Sequence, residues 1–210
     1  MEVLADGRKE VSEEMVFPSP QGCVMIGQKC SRIALIKGVY TLSKSNNIIL
    51  IGMMGTGKST VADMLARELG YRLIDVDTAV EKEEGCTIPE LFTGKGETYF
   101  RDAESRMLCS VLEKKSQVIA TGGGVVLRSD NCDVMSKNGW VVALTADPAV
   151  IVERVSGCDN RPLLAGNAEE RIKTIMEERK DAYRFAHYTV DTTELSAAEV
   201  TRLILAHYRV

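Results

Sequence analysis

The chain has 210 residues, 45% of them apolar, enough for one domain with a substantial core and at most an appendage. Its net charge of −4 argues against a nucleic-acid polyanion as the main partner, while leaving room for a local basic pocket that takes a small anion. The cysteines (Cys23, Cys30, Cys86, Cys109, Cys132, Cys158) form no C-x-x-C pair and the histidines are only His187 and His207, so zinc-site spacing is absent and reduced thiols are expected.

No apolar run approaches the ~20 residues that span a bilayer. The first ten residues lack the basic start and apolar middle of a signal peptide and are too acidic for a transit peptide, so a cytoplasmic protein without membrane contact is expected. Residues 1–46 contain acidic patches, the turn-prone Pro18-Ser19-Pro20 and an alternating segment, Ile33 to Tyr40, that fits a strand or hairpin. They read as an N-terminal extension of unknown role, a fusion remnant or a partner-binding arm, and no chemistry is assigned to them.

From Asn47 onward strands and helices alternate. The apolar run Ile48-Ile49-Leu50-Ile51 leads into Gly52-Met53-Met54-Gly55-Thr56-Gly57-Lys58-Ser59, and a helical pattern follows from Thr60 to Leu69. Strand, G-x-x-x-x-G-K-S and helix together make a phosphate-binding loop. Its glycines let backbone N–H groups converge on phosphate oxygens, and the helix adds its positive end. Lys58 is placed for the β- and γ-phosphates and the Ser59 hydroxyl for Mg2+.

Gly70 ends the first helix, and Tyr71 to Ile74 reads as a short strand running into Asp75-Val76-Asp77. If the strand continues, Asp75 and Asp77 share a side, able to serve a metal shell and a substrate hydroxyl. An acidic turn is the alternative, with Asp77 capping the next helix. Thr87 and Glu90 flank Pro89 in a capping-box pattern, and Val118-Ile119-Ala120 is a strand closed by Gly122-Gly123-Gly124. The glycine run is either a tight turn or a floor where backbone approaches a ligand. Trp140 to Leu144 is a further strand, and Asp147-Pro148 starts a helix. A polar loop covers 156–168, a charged helix 169–185, a strand 188–190, and a last helix is capped by Ser196 with Glu199 three residues on. The alternation predicts a parallel sheet covered on both faces, with ligands beyond the carboxyl ends of its strands. Arg101, Arg154, Arg161 and Arg179 fall near pocket segments, where guanidinium forks suit an anionic acceptor, whereas Arg8, Arg32, Arg67 and Arg171 read as surface charges.

The phosphate-binding loop, Asp75-x-Asp77, Phe100-Arg101-x-x-Glu104, Gly122-Gly123-Gly124, Arg161-Pro162-Leu163-Leu164 and Arg179-x-x-x-Tyr183 occur in the order and spacing of the shikimate kinases, which residues 47–210 resemble. The resemblance implies an α/β fold of three layers, nucleoside-monophosphate-kinase-like, with a five-stranded parallel sheet of order 2-3-1-4-5 and a lid at about 156–168. It implies transfer of the γ-phosphoryl of ATP to the 3-hydroxyl of shikimate, in aromatic amino acid biosynthesis, with Mg2+ as cofactor and ATP as co-substrate. Lys58, Asp77 and Arg161 would then be catalytic, and Asp77, Arg101, Gly123 and Arg179 would bind shikimate. Gly55, Thr56, Gly57, Lys58, Ser59, Thr60, Arg154 and Arg161 would hold the nucleotide, with Arg154 near the adenine, and Ser59 and Asp75 the metal. Glu104 would orient Arg101, and Ile88, Phe92 and Phe100 would wall the acceptor pocket. A monomer is expected, with shikimate and ATP its only partners. One departure stands out: the segment 191–195 after the last strand carries no adenine-contacting arginine. A gluconate-type kinase and a nucleotide-binding regulatory module are the alternatives.

Overall fold

The computed structural model describes residues 47–155 and 168–208, so the N-terminal extension and nearly all of the expected lid, Arg161 included, lie outside the described residues. In chain order the elements are β1 (Asn47–Gly52), α1 (Lys58–Leu69), β2 (Arg72–Asp75), α2 (Val76–Glu84), α3 (Ile88–Leu112), β3 (Gln117–Ala120), a 3-10 turn (Val125–Leu127), α4 (Ser129–Asn138), β4 (Trp140–Thr145), α5 (Pro148–Val155), α6 (Ala168–Arg179), β5 (Tyr188–Asp191) and α7 (Ala197–Tyr208). The strands pair in parallel in the order β2-β3-β1-β4-β5, as the resemblance implied.

Alternation along β1 explains how the sheet is covered. Ile49 and Ile51 face Val76 and Val80 of α2, Leu91 and Leu108 of α3 and Met135 of α4, whereas Ile48 and Leu50 face Val61 and Leu65 of α1 and Val200 and Ile204 of α7. All six residues of β1 are buried. Each enclosed Ile or Leu there contributes about 1.5–3 kcal/mol from burial, which makes β1 a firm base for the loop that leaves its carboxyl end. A third cluster, Met53 with Ile151, Val155 and Ile172, packs α5 and α6 beside that loop.

The expected helix ends are present. Gly70 closes α1 at φ 66°, Thr87 and Glu90 form a reciprocal capping box at α3, Asp147 Oδ1 accepts from Ala149 N at 2.8 Å, and Ser196 and Glu199 cap α7. Three expectations are corrected. Strand β2 stops at Asp75 and α2 begins at Val76, so Asp77 lies in the first turn of a helix, and it is Asp75 that caps it, Oδ1 accepting from Thr78 N at 3.1 Å. Helix α6 ends at Arg179 instead of continuing to 185, because Ala182, Tyr183, Phe185 and Ala186 turn in to pack against the sheet. Helix α4, with no capping side chain at Arg128, has no counterpart in the sequence reading.

Candidate active site

The loop after β1 is shaped by close approaches as much as by backbone freedom. Gly52 has φ 139°, and a Cβ there would stand 2.2 Å from the Leu144 carbonyl oxygen on β4. Gly57, at φ 90°, precedes Lys58, the first residue of α1, and no side chain caps that helix. The first-turn N–H groups are therefore available for an anion. Inside the loop the Thr56 hydroxyl donates to Met53 O at 2.8 Å and Lys58 Nζ donates to the same oxygen at 2.7 Å, which draws the ammonium over the loop.

Beside the loop, the Ser59 hydroxyl donates to Asp75 Oδ2 at 3.3 Å. A hydroxyl and a carboxylate oxygen are hard donors, and two protein oxygens completed by water and phosphate is the usual Mg2+ arrangement. The residues present fit that ion. Asp75 thus has two tasks, one oxygen holding α2 and the other facing the nucleotide side.

The three glycines after β3 hold the rest of the site together by leaving space. A Cβ on Gly122 would lie 2.6 Å from Asp77 Oδ1 and 2.7 Å from Glu104 Oε1. On Gly124 it would lie 2.5 Å from Arg101 Nη1. A Cβ on Gly123 would lie 3.3 Å from Gly52 O and 3.6 Å from Met54 N, so the run also lies against the phosphate-binding loop. Arg179, 8% exposed, donates from Nη1 to Gly123 O at 3.0 Å, and the Tyr183 hydroxyl donates to the same oxygen at 2.8 Å. Arg101 Nη1 donates to Glu104 Oε2 at 2.8 Å while its Nε and Nη2 face Glu97. Phe92 and Phe100, with ring centroids 4.9 Å apart, stand alongside.

Among the described residues, Asp77 Oδ1 and Glu104 Oε1 are enclosed without a hydrogen-bond partner. Burial, with the charges of Glu104 and Asp75 behind it, pushes the Asp77 carboxyl up to about 6 against the opposing pull of Lys58 and Arg101. Burial also raises Glu104, in spite of the Arg101 guanidinium. Two crowded carboxylates and two guanidinium groups thus gather around the glycine run that follows β3. Such a grouping suits a polar molecule that carries both hydroxyls and an anionic group.

A family model described as shikimate kinase matches residues 54–209. A shikimate kinase from Thermodesulfovibrio yellowstonii is 45% identical over 163 residues, spanning 77% of this chain and 94% of that protein. The chain belongs to the shikimate kinase family. The solved shikimate kinase from Acinetobacter baumannii in complex with shikimate is 36% identical, with a TM-score of 0.75 over 77% of this chain and 92% of that one. A gluconokinase from Sinorhizobium meliloti, 19% identical with a TM-score of 0.52 over 79% of this chain and 93% of that one, shares the fold alone.

Against the shikimate kinase expectation, Asp77, Glu104, Arg101 and Arg179 come together around the glycine run, and Lys58, Ser59 and Asp75 around the phosphate-binding loop. Thr60 is exposed in the first turn of α1. Arg154, in the last turn of α5, donates to Gly55 O at 3.4 Å, Thr192 Oγ1 at 3.1 Å and Thr192 O at 2.8 Å. A guanidinium from α5 therefore reaches the segment after β5 that carries no arginine of its own. Thr192 went unread in the sequence; its hydroxyl also lies 3.0 Å from Thr145 O and 3.3 Å from Thr56 O, joining the ends of β4 and β5 to the loop. Its only signal was a hydroxyl residue directly after a strand. Tyr183 stands in the Arg179-x-x-x-Tyr183 motif with no role legible from spacing, and the space that Gly122 leaves for carboxylates from two helices has no local signal.

Proposed function

We propose that this chain transfers the γ-phosphoryl of ATP to the 3-hydroxyl of shikimate, releasing ADP and shikimate 3-phosphate for aromatic amino acid biosynthesis. The observation that carries the reading is the glycine run at 122–124, where Gly122 makes room for Asp77 with Glu104, Gly124 makes room for Arg101, and Gly123 accepts from Arg179 beside the phosphate-binding loop. Arg101 and Arg179 hold the acceptor carboxylate, since a planar fork matches a carboxylate by two parallel hydrogen bonds. Asp77 meets the ring hydroxyls, and Ile88, Phe92 and Phe100 cover the apolar side of the ring. The Gly55 to Thr60 backbone, Lys58 and the N-terminal end of α1 hold the phosphates.

In the reaction the 3-hydroxyl oxygen forms a bond to the γ-phosphorus as the bond to the β-phosphate oxygen breaks. The hydroxyl proton passes to Asp77 or, past it, to solvent, and ADP leaves. Phosphoryl transfer asks chiefly for in-line placement and charge neutralisation, which Lys58 supplies and to which Arg161, from the lid segment, is assigned. Mg2+, held by Ser59 and Asp75, neutralises phosphate charge when bound. Arg154 lies beside the adenine, with its guanidinium anchored at Thr192. Residues 47–210 form the kinase domain of a cytoplasmic monomer, and 1–46 are an extension.

A coupled ADP-release assay tests the reading. Turnover should require shikimate and Mg2+ together, and should persist in a chain begun at Asn47. Folded protein that binds ATP but releases no ADP with shikimate, while gluconate serves, would overturn the acceptor.

A further inference from the structure

Helix α3 is broken. At Gly96 the backbone takes φ 84° and ψ 168°, outside the helical region, and the helix resumes at once. Phe100, Arg101 and Glu104 all lie beyond this break, so their placement is not transmitted by an unbroken helical ladder from the capped start at Thr87. Packing of Phe100, Leu108, Val111 and Leu112 holds the second half in the core, and a polar cluster adds a further tie to α2, which carries Asp77.

Glu84 forms that tie. It is the last residue of α2, and its side chain is only 9% exposed. Its carboxylate accepts from Lys95 Nζ at 2.9 Å, from the Tyr99 hydroxyl at 3.0 Å and from Arg106 Nη2 at 3.5 Å. Lys95 stands just before the break, and Tyr99 and Arg106 stand after it. Lys95 Nζ also donates to the Tyr99 hydroxyl at 3.2 Å and lies 4.3 Å from the ring centroid, with the Arg106 guanidinium at 5.9 Å. The Lys95 ammonium and the Tyr99 hydroxyl hold the Glu84 carboxyl below the usual carboxylate range. A lone exposed ion pair adds little. Here one nearly enclosed acceptor gathers three donors from both sides of a helix break, which is a geometric constraint more than an energetic one.

The spacing connects this cluster to the site. Glu84 follows Asp77 by seven residues, two turns, so both project from about the same face of α2. On α3 the cluster residue Tyr99 stands two positions before Arg101. Helices α2 and α3 are tied through Glu84 with Lys95, Tyr99 and Arg106, residues that flank Arg101 and Glu104 along α3, whereas Asp77 meets Glu104 across the space beside Gly122 without a hydrogen bond. We propose that Glu84 is a positioning residue for the acceptor: by clamping α3 across the Gly96 break, it sets where Arg101 stands relative to Asp77. This role rests on the acceptor reading given above, and it leaves the phosphate-binding loop untouched.

Steady-state kinetics of Glu84→Ala and Glu84→Gln, with each substrate varied, test the clamp. Misplacing a binding group by a fraction of an ångström should raise KM for shikimate about tenfold in Glu84→Ala, with KM for ATP within about twofold of the unaltered enzyme. Glu84→Gln keeps the shape and one acceptor oxygen and should fall between the two. Ser196→Ala, which removes a helix cap on α7, serves as the control: it should lower Tm and leave both KM values alone. A shikimate KM unchanged in Glu84→Ala, or one that rises only in step with that for ATP, overturns the proposal. Hydrogen exchange provides an arm independent of turnover: amides 97–105 should exchange faster in Glu84→Ala while those of α1 and α7 do not, and unchanged exchange overturns the clamp. If the unaltered enzyme shows no turnover with shikimate, the acceptor reading fails and exchange alone decides the clamp. Should Glu84→Ala not fold, Tyr99→Phe, which deletes one donor, is read by the same two measurements.

Discussion

Asp77 and Glu104 each keep one carboxylate oxygen enclosed without a donor, both directed at the space above Gly122. Such an arrangement costs stability, and under the proposed acceptor reading a substrate hydroxyl would donate to it. Burial raises the Asp77 carboxyl from 3.8 to about 6, so the folded state binds its proton more tightly than the unfolded chain does. Ionised Asp77 therefore destabilises the fold above about pH 6, and the penalty fades as pH falls through about 6 towards 4. Asp77→Asn removes the charge, and its amide can donate to the orphaned Glu104 oxygen. It should stabilise the protein on the order of 1–3 kcal/mol at about pH 7.5, with a gain that shrinks towards pH 4, while abolishing shikimate-dependent ADP release. Thermal melts at the two pH values check it; a Tm unchanged or lowered at the higher pH would contradict the account.

At the scale of the element, α3 shows how a helix can serve two neighbours by being interrupted. Its first turns are fixed by the Thr87–Glu90 capping box and by Ile88 N donating to Glu81 on α2, and its later turns by Leu108, Val111 and Leu112 in the core. Gly96 lets the two parts meet at φ 84°. A Cβ at that position would touch nothing within 4 Å, so the cost of Gly96→Ala is confined to the backbone conformation. That cost is about 1–3 kcal/mol, because φ 84° with ψ 168° is open essentially to glycine alone, before a smaller offset from the stiffer unfolded chain. A lower urea midpoint with the slope unchanged is the expected result, and Gly96→Asn should lose about as much, because asparagine's tolerance of positive φ belongs to the left-handed helical region and not to ψ 168°. Equal midpoints for all three proteins would mean that the interruption carries no strain.

Across the whole molecule, the long-range ties are polar as well as apolar. His187 extends the contact between β4 and the approach to β5: its backbone N–H donates to Val141 O at 2.9 Å and its Nδ1 accepts from Val141 N at 2.9 Å. Accepting at Nδ1 requires the neutral ring, and burial holds its pKa below the usual histidine value. The unfolded chain thus takes up the proton first, so this contribution is whole above about pH 6.5 and is lost as pH falls below it. The Tm of the unaltered protein should drop between about pH 7 and 5 by more than that of His187→Asn, whose side chain accepts without titrating. Parallel curves would remove His187 from the pH response. Its geometry gives this histidine a structural role.

The amino-acid sequence by itself determined whatever depends on neighbours within a turn or two. The phosphate-binding loop is legible because its glycines, Lys58 and Ser59 act on one another across a few bonds, and the caps at Gly70, Thr87, Asp147 and Ser196 because each is a contact of two to four residues' reach. Strand alternation likewise disclosed a covered parallel sheet. Only the tertiary structure decided which distant groups meet. That Gly122 spares space for carboxylates from α2 and α3, that Arg154 fastens Thr192, and that Glu84 bridges a break in α3 depend on separations of tens of residues. Local pattern also failed where packing overruled it. The charged periodicity past Arg179 yields to Tyr183 turning in towards Gly123, and Asp77 enters a helix because Asp75, already facing Ser59, supplies the cap. Short-range hydrogen bonds are written into residue order, whereas an active site is assembled from side chains that become neighbours only after the core has closed.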